Sequence, residues 1–292
     1  MSLPKLGFIG IGLMGKPMTL RLLAAGYKVA VWNRSRDKLA PVTVKGAIAK
    51  ASPADVARFA DIVMMCVTDQ NSVREVLFGA GGIAEGAAQG KIVIDFSSIA
   101  PGAAREYAQE LAAKGVGYID APVSGGTVGA EQGTLAIMAG GRSEDIEFVR
   151  PLMAELASRF TRMGESGTGQ VTKLANQVIV ASLFPVIAEA LRLAEAAGVD
   201  ASKIPEALRG GFADSKPLQV FGPRMASRAY EPALGTVNVM LKDLLNALAV
   251  AEESGVPLPM ARAAVERYRL LEALGKGEVE PSAFIDLLAE GS

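Results

Sequence analysis

Apolar positions in the first half of the chain come in short blocks. Residues 6–9, 29–32, 62–67, 92–95, 117–120 and 135–139 are runs dominated by Val, Ile, Leu and Met. Such runs predict strands buried on both faces. Between them lie stretches with helical spacing. Ser52-Pro53 supplies an N-cap and a proline at the first helical position, predicting a helix through Ala60. Residues 101–113 predict another, stopped before Gly115, and Gly140-Gly141 turns into a third over 143–157. Residues 160–163 predict a last edge strand. This alternation predicts an α/β half with a mostly parallel sheet under covering helices.

After Gly164-Glu165-Ser166-Gly167-Thr168-Gly169 the pattern changes. From Gln170 onward nearly every stretch reads as helix, and 170–197 is apolar on more than one side. Gly198, Gly210-Gly211, Gly222-Pro223, Gly255 and Gly275 punctuate the later helices. Two domains are expected, residues 1–164 built on a sheet and 165–292 all-α. An apolar helical half with more apolar surface than it can cover alone suggests association into a homodimer or homotetramer.

Composition narrows the chemistry. Thirty Lys and Arg balance 31 Asp and Glu over 292 residues, so there is no electrostatic case for nucleic acid or an acidic membrane. The chain has no histidine, which excludes a Ser-His-Asp triad, a histidine metal site and imidazole acid–base catalysis. Its single cysteine, Cys66, excludes an internal disulfide and makes zinc-dependent dehydrogenase chemistry implausible. No metal is therefore expected, and Cys66 itself reads as a buried strand residue. Residues 1–5 lack the pattern of a signal peptide. The longest apolar run, 178–188, is interrupted by Ser182 and Pro185 and is shorter than the ~18 residues of a membrane span. A soluble cytoplasmic protein is the expectation.

The first strand passes into Gly10-Ile11-Gly12-Leu13-Met14-Gly15 and then a helix-compatible segment closed by Gly26. In a Gly-x-Gly-x-x-Gly turn, Gly10 permits the tight exit from the strand. Gly12 lets the backbone approach a pyrophosphate, and Gly15 lets helix and strand pack. The helix N-terminus adds unpaired N–H groups and a positive dipole end, so a dinucleotide site is predicted. The second strand ends at Asn33-Arg34-Ser35-Arg36, with Lys38 beyond. NAD sites usually place a carboxylate here for the ribose 2′-hydroxyl. Asn33, Ser35, Arg34 and Arg36 instead suit a 2′-phosphate, so NADP(H) is expected in preference to NAD(H).

Three further segments carry polar groups suited to chemistry. Asp120-Ala121-Pro122-Val123-Ser124-Gly125-Gly126 puts a hydroxyl and two unobstructed N–H groups at the carboxyl end of a strand. That is a nest for a carboxylate, or merely a turn with an exposed serine. On a helix, Lys173 lies beside Asn176 and Gln177. A partly desolvated lysine there can give a proton to a carbonyl oxygen, or it can simply snorkel. Lys242-Asp243 reads as an exposed face or an internal ion pair.

In this order the four segments resemble the motifs of the β-hydroxyacid dehydrogenase family over essentially the whole chain. The resemblance implies a Rossmann-type N-terminal domain and an all-α C-terminal one. It also implies an NAD(P)-dependent oxidoreductase acting on small carboxylate-bearing aldehydes or hydroxy acids. Gly10, Gly12, Leu13, Met14 and Gly15 would hold the dinucleotide, with Asn33, Arg34 and Ser35 at the ribose. Val67, Thr68 and Ser97 would line the nicotinamide pocket. Ser124, Gly125 and Gly126 would hold the substrate carboxylate, and Lys173 would act as general acid in reduction and base in oxidation. Asn176 and Gln177 would orient substrate and lysine, and Lys242 would close the site. Residues 173–180 and 208–211 resemble the branch that reduces tartronate semialdehyde to glycerate. Oxidation of 3-hydroxyisobutyrate and reduction of glyoxylate or succinic semialdehyde are the alternatives, and a non-enzymatic NADP-binding protein is a third. Arg21 departs from the family, which usually has Asn there.

Overall fold

The computed structural model describes residues 3–288. The chain divides into two compact units, one running to Lys173 and one from Leu174 onward. Among the described residues, the first contains nine strands: β1 Leu6–Ile9, β2 Val29–Trp32, β3 Ile48–Ala49, β4 Ile62–Met65, β5 Ile92–Asp95, β6 Gly117–Asp120, β7 Val123–Ser124, β8 Leu135–Gly140 and β9 Ala157–Gly164. They form one sheet in the order β3-β2-β1-β4-β5-β6-β8-β7, with β9 pairing β8. Pairings from β3 across to β6 are parallel, whereas β8 runs antiparallel to β6 and β7. The fold is a Rossmann-type α/β unit followed by an all-helical one.

The apolar runs explain the two-sided burial. Phe8, Val31, Met64, Ile94 and Ile119 project into one core, while Ile9, Ala30, Val63, Val93 and Tyr118 project into the other. Strand side chains alternate faces, so a strand with helices on both sides needs apolar residues at every position. From β1 the chain moves outward to β2 and β3, then returns to the other side of β1 as β4. The carboxyl ends of β1 and β4 therefore flank a topological switch point, where open sheets of this kind bind ligands.

Four of the expected strands, 6–9, 29–32, 92–95 and 117–120, coincide with β1, β2, β5 and β6. Others shift. β4 stops at Met65, so Cys66 lies just past the strand instead of within it. The helix expected over 143–157 ends at Met153, and 157–164 is a full strand whose Ser158, Arg159 and Arg162 suit an exposed edge.

The second unit packs around Phe184, Leu191, Leu241, Leu244, Tyr268 and Phe284. Its first element is the 29-residue helix Thr168–Ala196, which begins within the sheet unit and is continuous through Ser182 and Pro185. That continuity corrects the expectation drawn from the interrupted run 178–188. By length and composition this helix is long and apolar enough to cross a membrane, although Phe184, Ile187, Ala188 and Leu191 are buried in the helical core.

Candidate functional site

At the switch point the sheet unit opens a cleft of about 280 Å³. Gly10 and Gly12 line it from the turn after β1, Trp32, Asn33, Arg34, Ser35 and Lys38 from the end of β2, and Cys66, Val67 and Thr68 from the end of β4. Gly10 has φ +90°, and a Cβ there would meet the Cys66 carbonyl at 2.2 Å. At Gly15 a Cβ would fall 1.9 Å from the Gly10 carbonyl oxygen, so helix Gly15–Ala24 can touch the turn only because that atom is missing. Gly12 has nothing within 4 Å of its Cβ position, leaving open space beside the backbone. Close approach at Gly10 and Gly15 with clearance at Gly12 fits a pyrophosphate over the helix N-terminus. Leu13 stands 84 % exposed on the turn, and Met14 occupies the N-cap position.

Asn33 lines the cleft and also bonds within the protein. Its Oδ1 accepts from the Ile11 N–H at 2.8 Å, and its Nδ2 donates to the Ser35 carbonyl at 2.8 Å. The side chain shapes the glycine turn and its own loop, and Arg34, Ser35 and Lys38 line the cleft beside it. Arg36 is exposed and is not among the residues lining the cleft.

Ser97, expected to line the nicotinamide pocket, is not among the residues lining this cleft. It is buried, and its Oγ accepts from the Val67 N–H at 2.9 Å. The wall also includes Pro53, Ser72, Glu75, Val76 and Ala80, which the sequence reading missed. Ser72, Glu75 and Val76 belong to helix Gln70–Phe78, whose N-cap Asp69 accepts from the Ser72 N–H. The Asp69-x-x-Ser72 spacing was the available signal. Burial, and then the charge of Asp95, pushes the Cys66 thiol up to about 12, which disfavours its thiolate form.

Ser124 ends β7 half-buried, and Gly125 (φ +129°) is the N-cap of helix Gly126–Gln132. The first N–H groups of that helix have no intrahelical acceptor and carry a positive dipole end, which suits a carboxylate. The far end of the same helix is held by Arg21, which donates to the Glu131 carbonyl at 3.1 Å and to Glu155 at 2.7 Å. Arg21 is thus a staple of the fold. Lys173 is half-buried in the second turn of helix Thr168–Ala196.

Within the helical unit, four residues are joined. Asn176 Nδ2 donates to Gln177 Oε1 at 2.9 Å, and Gln177 Nε2 donates to Asp243 Oδ2 at 2.7 Å. Lys242 Nζ lies 3.2 Å from Asp243 Oδ1. Gln177 and Asp243 are both 6 % exposed, whereas the Lys242 side chain is 51 % exposed. Gln177 thus links Asn176 to Asp243. Asp243 had no expected role, although its pairing with Lys242 was one of the two alternatives.

The family described as the NAD binding domain of 6-phosphogluconate dehydrogenase matches residues 5–164, and that described as NAD-binding of NADP-dependent 3-hydroxyisobutyrate dehydrogenase matches residues 167–288. The chain is 38 % identical over 286 residues to the 2-hydroxy-3-oxopropionate reductase of Escherichia coli, covering 97 % of each chain. Among solved structures, it is similar to Mycobacterium tuberculosis 3-hydroxyisobutyrate dehydrogenase with L-serine. That match has TM-score 0.89 and 26 % identity, over 98 % of this chain and 99 % of the other. A complex of Psf3 with NADP+ and 2-OPP superposes with TM-score 0.85 at 26 % identity, over 97 % and 99 %. Matches spanning both units, together with the glycine geometry of the cleft, show that the chain belongs to the β-hydroxyacid dehydrogenase family, the nicotinamide-dependent oxidoreductases that act on CH–OH groups.

Proposed function

We propose that this enzyme is an NADP(H)-preferring reductase of small aldehydes bearing a carboxylate, with tartronate semialdehyde as its first substrate and glycerate as the product. One observation carries the reading. β6 ends at Asp120, four residues before Ser124, and Asp120 itself binds the first turn of the helix that bears Lys173. A single strand end thus serves both the anion-binding loop and the lysine helix.

When bound, reduced nicotinamide supplies the hydride. Ser124 and the N–H groups following Gly125 hold the substrate carboxylate and fix the aldehyde's orientation. The Lys173 ammonium stabilises negative charge on the carbonyl oxygen and gives that oxygen its proton. In the oxidative direction the neutral amine takes the proton back. Asn176, one helical turn beyond Lys173, is assigned to the substrate hydroxyl. Preference for the 2′-phosphate rests on Arg34, Ser35 and Lys38, with Glu75 the one carboxylate in the cleft wall.

Oxidation of 3-hydroxyisobutyrate by the same residues is the second reading, favoured by the family matching 167–288. Glyoxylate and succinic semialdehyde follow, because one methylene is worth only ~1–3 kcal/mol of discrimination. The test is the initial rate of NADPH oxidation with tartronate semialdehyde, run beside NADH and beside 3-hydroxyisobutyrate with NADP+. Turnover fastest with NADPH and tartronate semialdehyde supports the proposal; faster oxidation of 3-hydroxyisobutyrate replaces it with the second reading. Lys173→Met should lower turnover by on the order of 10²–10⁴-fold while NADPH affinity stays within about threefold. Unchanged turnover would remove Lys173 from the chemistry.

We also assign the enzyme to a homodimer or homotetramer. Supporting this, Ile179, Val186 and Leu193 recur every seventh residue on one helix and are 64 %, 51 % and 73 % exposed.

A further inference from the structure

Helix Thr168–Ala196 starts against the carboxyl edge of the sheet with unusually little slack. A Cβ at Gly169 would lie 2.4 Å from the Met138 carbonyl oxygen and 2.6 Å from that of Asp120. At Gly140 a Cβ would lie 2.5 Å from Asp120 Oδ1 and 2.9 Å from the Gly169 nitrogen. The ends of β6 and β8 and the first turn of the helix therefore meet with no room for a methyl group.

Two buried side chains tie this contact together. Asp120, fully buried, accepts from the Gly167 N–H at 2.7 Å through Oδ1 and from the Gln170 N–H at 3.0 Å through Oδ2. It so occupies two of the N–H groups that a helix start leaves open. Gln170, 1 % exposed, donates from Nε2 to the Ser97 carbonyl at 2.8 Å and accepts at Oε1 from the Ile99 N–H at 3.2 Å. Ser97 in turn accepts from the N–H of Val67, a residue of the cleft wall. A continuous run of bonds joins the wall after β4 to the first turn of the helix.

We infer that Asp120 and Gln170 are positioning residues that fix the height and rotation of the Lys173 helix relative to the cleft wall. The inference rests on Lys173 being the proton donor. Lys173 follows Gln170 by three residues and shares its helix face, so a slip at Gln170 is passed on to the ammonium. Displacement by about 1 Å at a reacting group costs about 10²-fold in rate. Ties to buried backbone are suited to this work, because breaking one leaves a buried donor or acceptor unpaired.

The test uses Asp120→Asn and Gln170→Leu in the full chain, with amide exchange over residues 167–173 read alongside kinetics. Asn can satisfy only one of the two N–H groups, and Leu removes both side-chain bonds of Gln170 while sparing the Asp120 cap. Exchange over 167–173 should accelerate at least about tenfold while the rest of the helix is unchanged. kcat should fall about 10–100-fold with NADPH affinity held within about twofold, and the solvent isotope effect on kcat should rise as proton transfer becomes limiting. A cap that served stability alone would lower the melting temperature without changing the isotope effect. Unaltered exchange, or faster exchange with unaltered kcat and isotope effect, overturns the inference. If Asp120→Asn does not fold, Gln170→Leu decides by the same readouts. If the wild-type chain turns over no carboxylate aldehyde, the functional reading fails, and exchange alone still decides whether these residues hold the helix.

Discussion

Asp95 ends β5 completely buried, with the Ser97 N–H on Oδ1 at 2.8 Å and the Tyr118 hydroxyl on Oδ2 at 2.9 Å. Burial dominates these bonds and raises its carboxyl from 3.8 to about 6. The folded chain thus holds that proton more tightly than the unfolded chain does. The resulting stabilisation is complete below about pH 4 and is lost as pH rises through about 6. Asn at this position keeps both contacts, accepting from Ser97 and donating to a Tyr118 hydroxyl turned to accept. Relative to wild type, Asp95→Asn should therefore gain stability between pH 5 and pH 8, by on the order of 1–3 kcal/mol. Urea unfolding at the two pH values checks this, and a pH-independent difference would mean that Asp95 does not titrate there. At the ribose end, Arg34→Ala should weaken NADPH about 10–100-fold and NADH much less, the loss of one charge-assisted contact. Titration with each dinucleotide measures it, and equal weakening would place Arg34 away from the 2′-phosphate.

Elements differ in how plainly the sequence announces them. β1, β2, β5 and β6 were legible to the residue, because burial on both faces demands unbroken apolar runs ended by polar or turn residues. β3 and β7 are two residues each, too short to show any period, and they form because neighbouring strands offer open edges. The site was legible where backbone geometry dictates residue type, as at Gly10 and Gly15. It was illegible where a side chain serves a residue distant in sequence: nothing in the spacing reveals that Asn33 accepts from the Ile11 backbone N–H or that Gln177 donates to Asp243. These pairs are separated by 22 and 66 residues, and only the packed fold brings them together. The glycine turn carries its own prediction. Gly15→Ala must push against a carbonyl oxygen, not a yielding side chain, so the whole turn moves. Affinity for NADPH and NADH should fall together, each by at least about tenfold or ~1.4 kcal/mol, unlike the selective loss at Arg34. Isothermal titration of both forms distinguishes the two behaviours.

For the whole molecule, the sheet unit is closed by two cores, whereas the long helix of the helical unit shows apolar side chains to solvent. If a second copy covers that stripe, Val186→Glu should shift the enzyme to a smaller species in analytical ultracentrifugation. A charge at the middle of a heptad seam cannot be buried unpaired. An unchanged mass would put the subunit contact elsewhere.

Trp32 has a use that no other side chain in the protein offers. It is the sole tryptophan of the 292 residues, it lines the cleft, and its Nε1 donates to the Ala51 carbonyl at 3.2 Å. Every photon emitted by an indole thus originates from one ring in the wall of the cleft proposed to hold the dinucleotide. Reduced nicotinamide absorbs in the region where indole emits, so occupancy becomes visible as quenched tryptophan light with sensitised blue emission. The unlabelled enzyme is its own optical gauge, ready to separate variants that fail to bind from those that bind and fail to react.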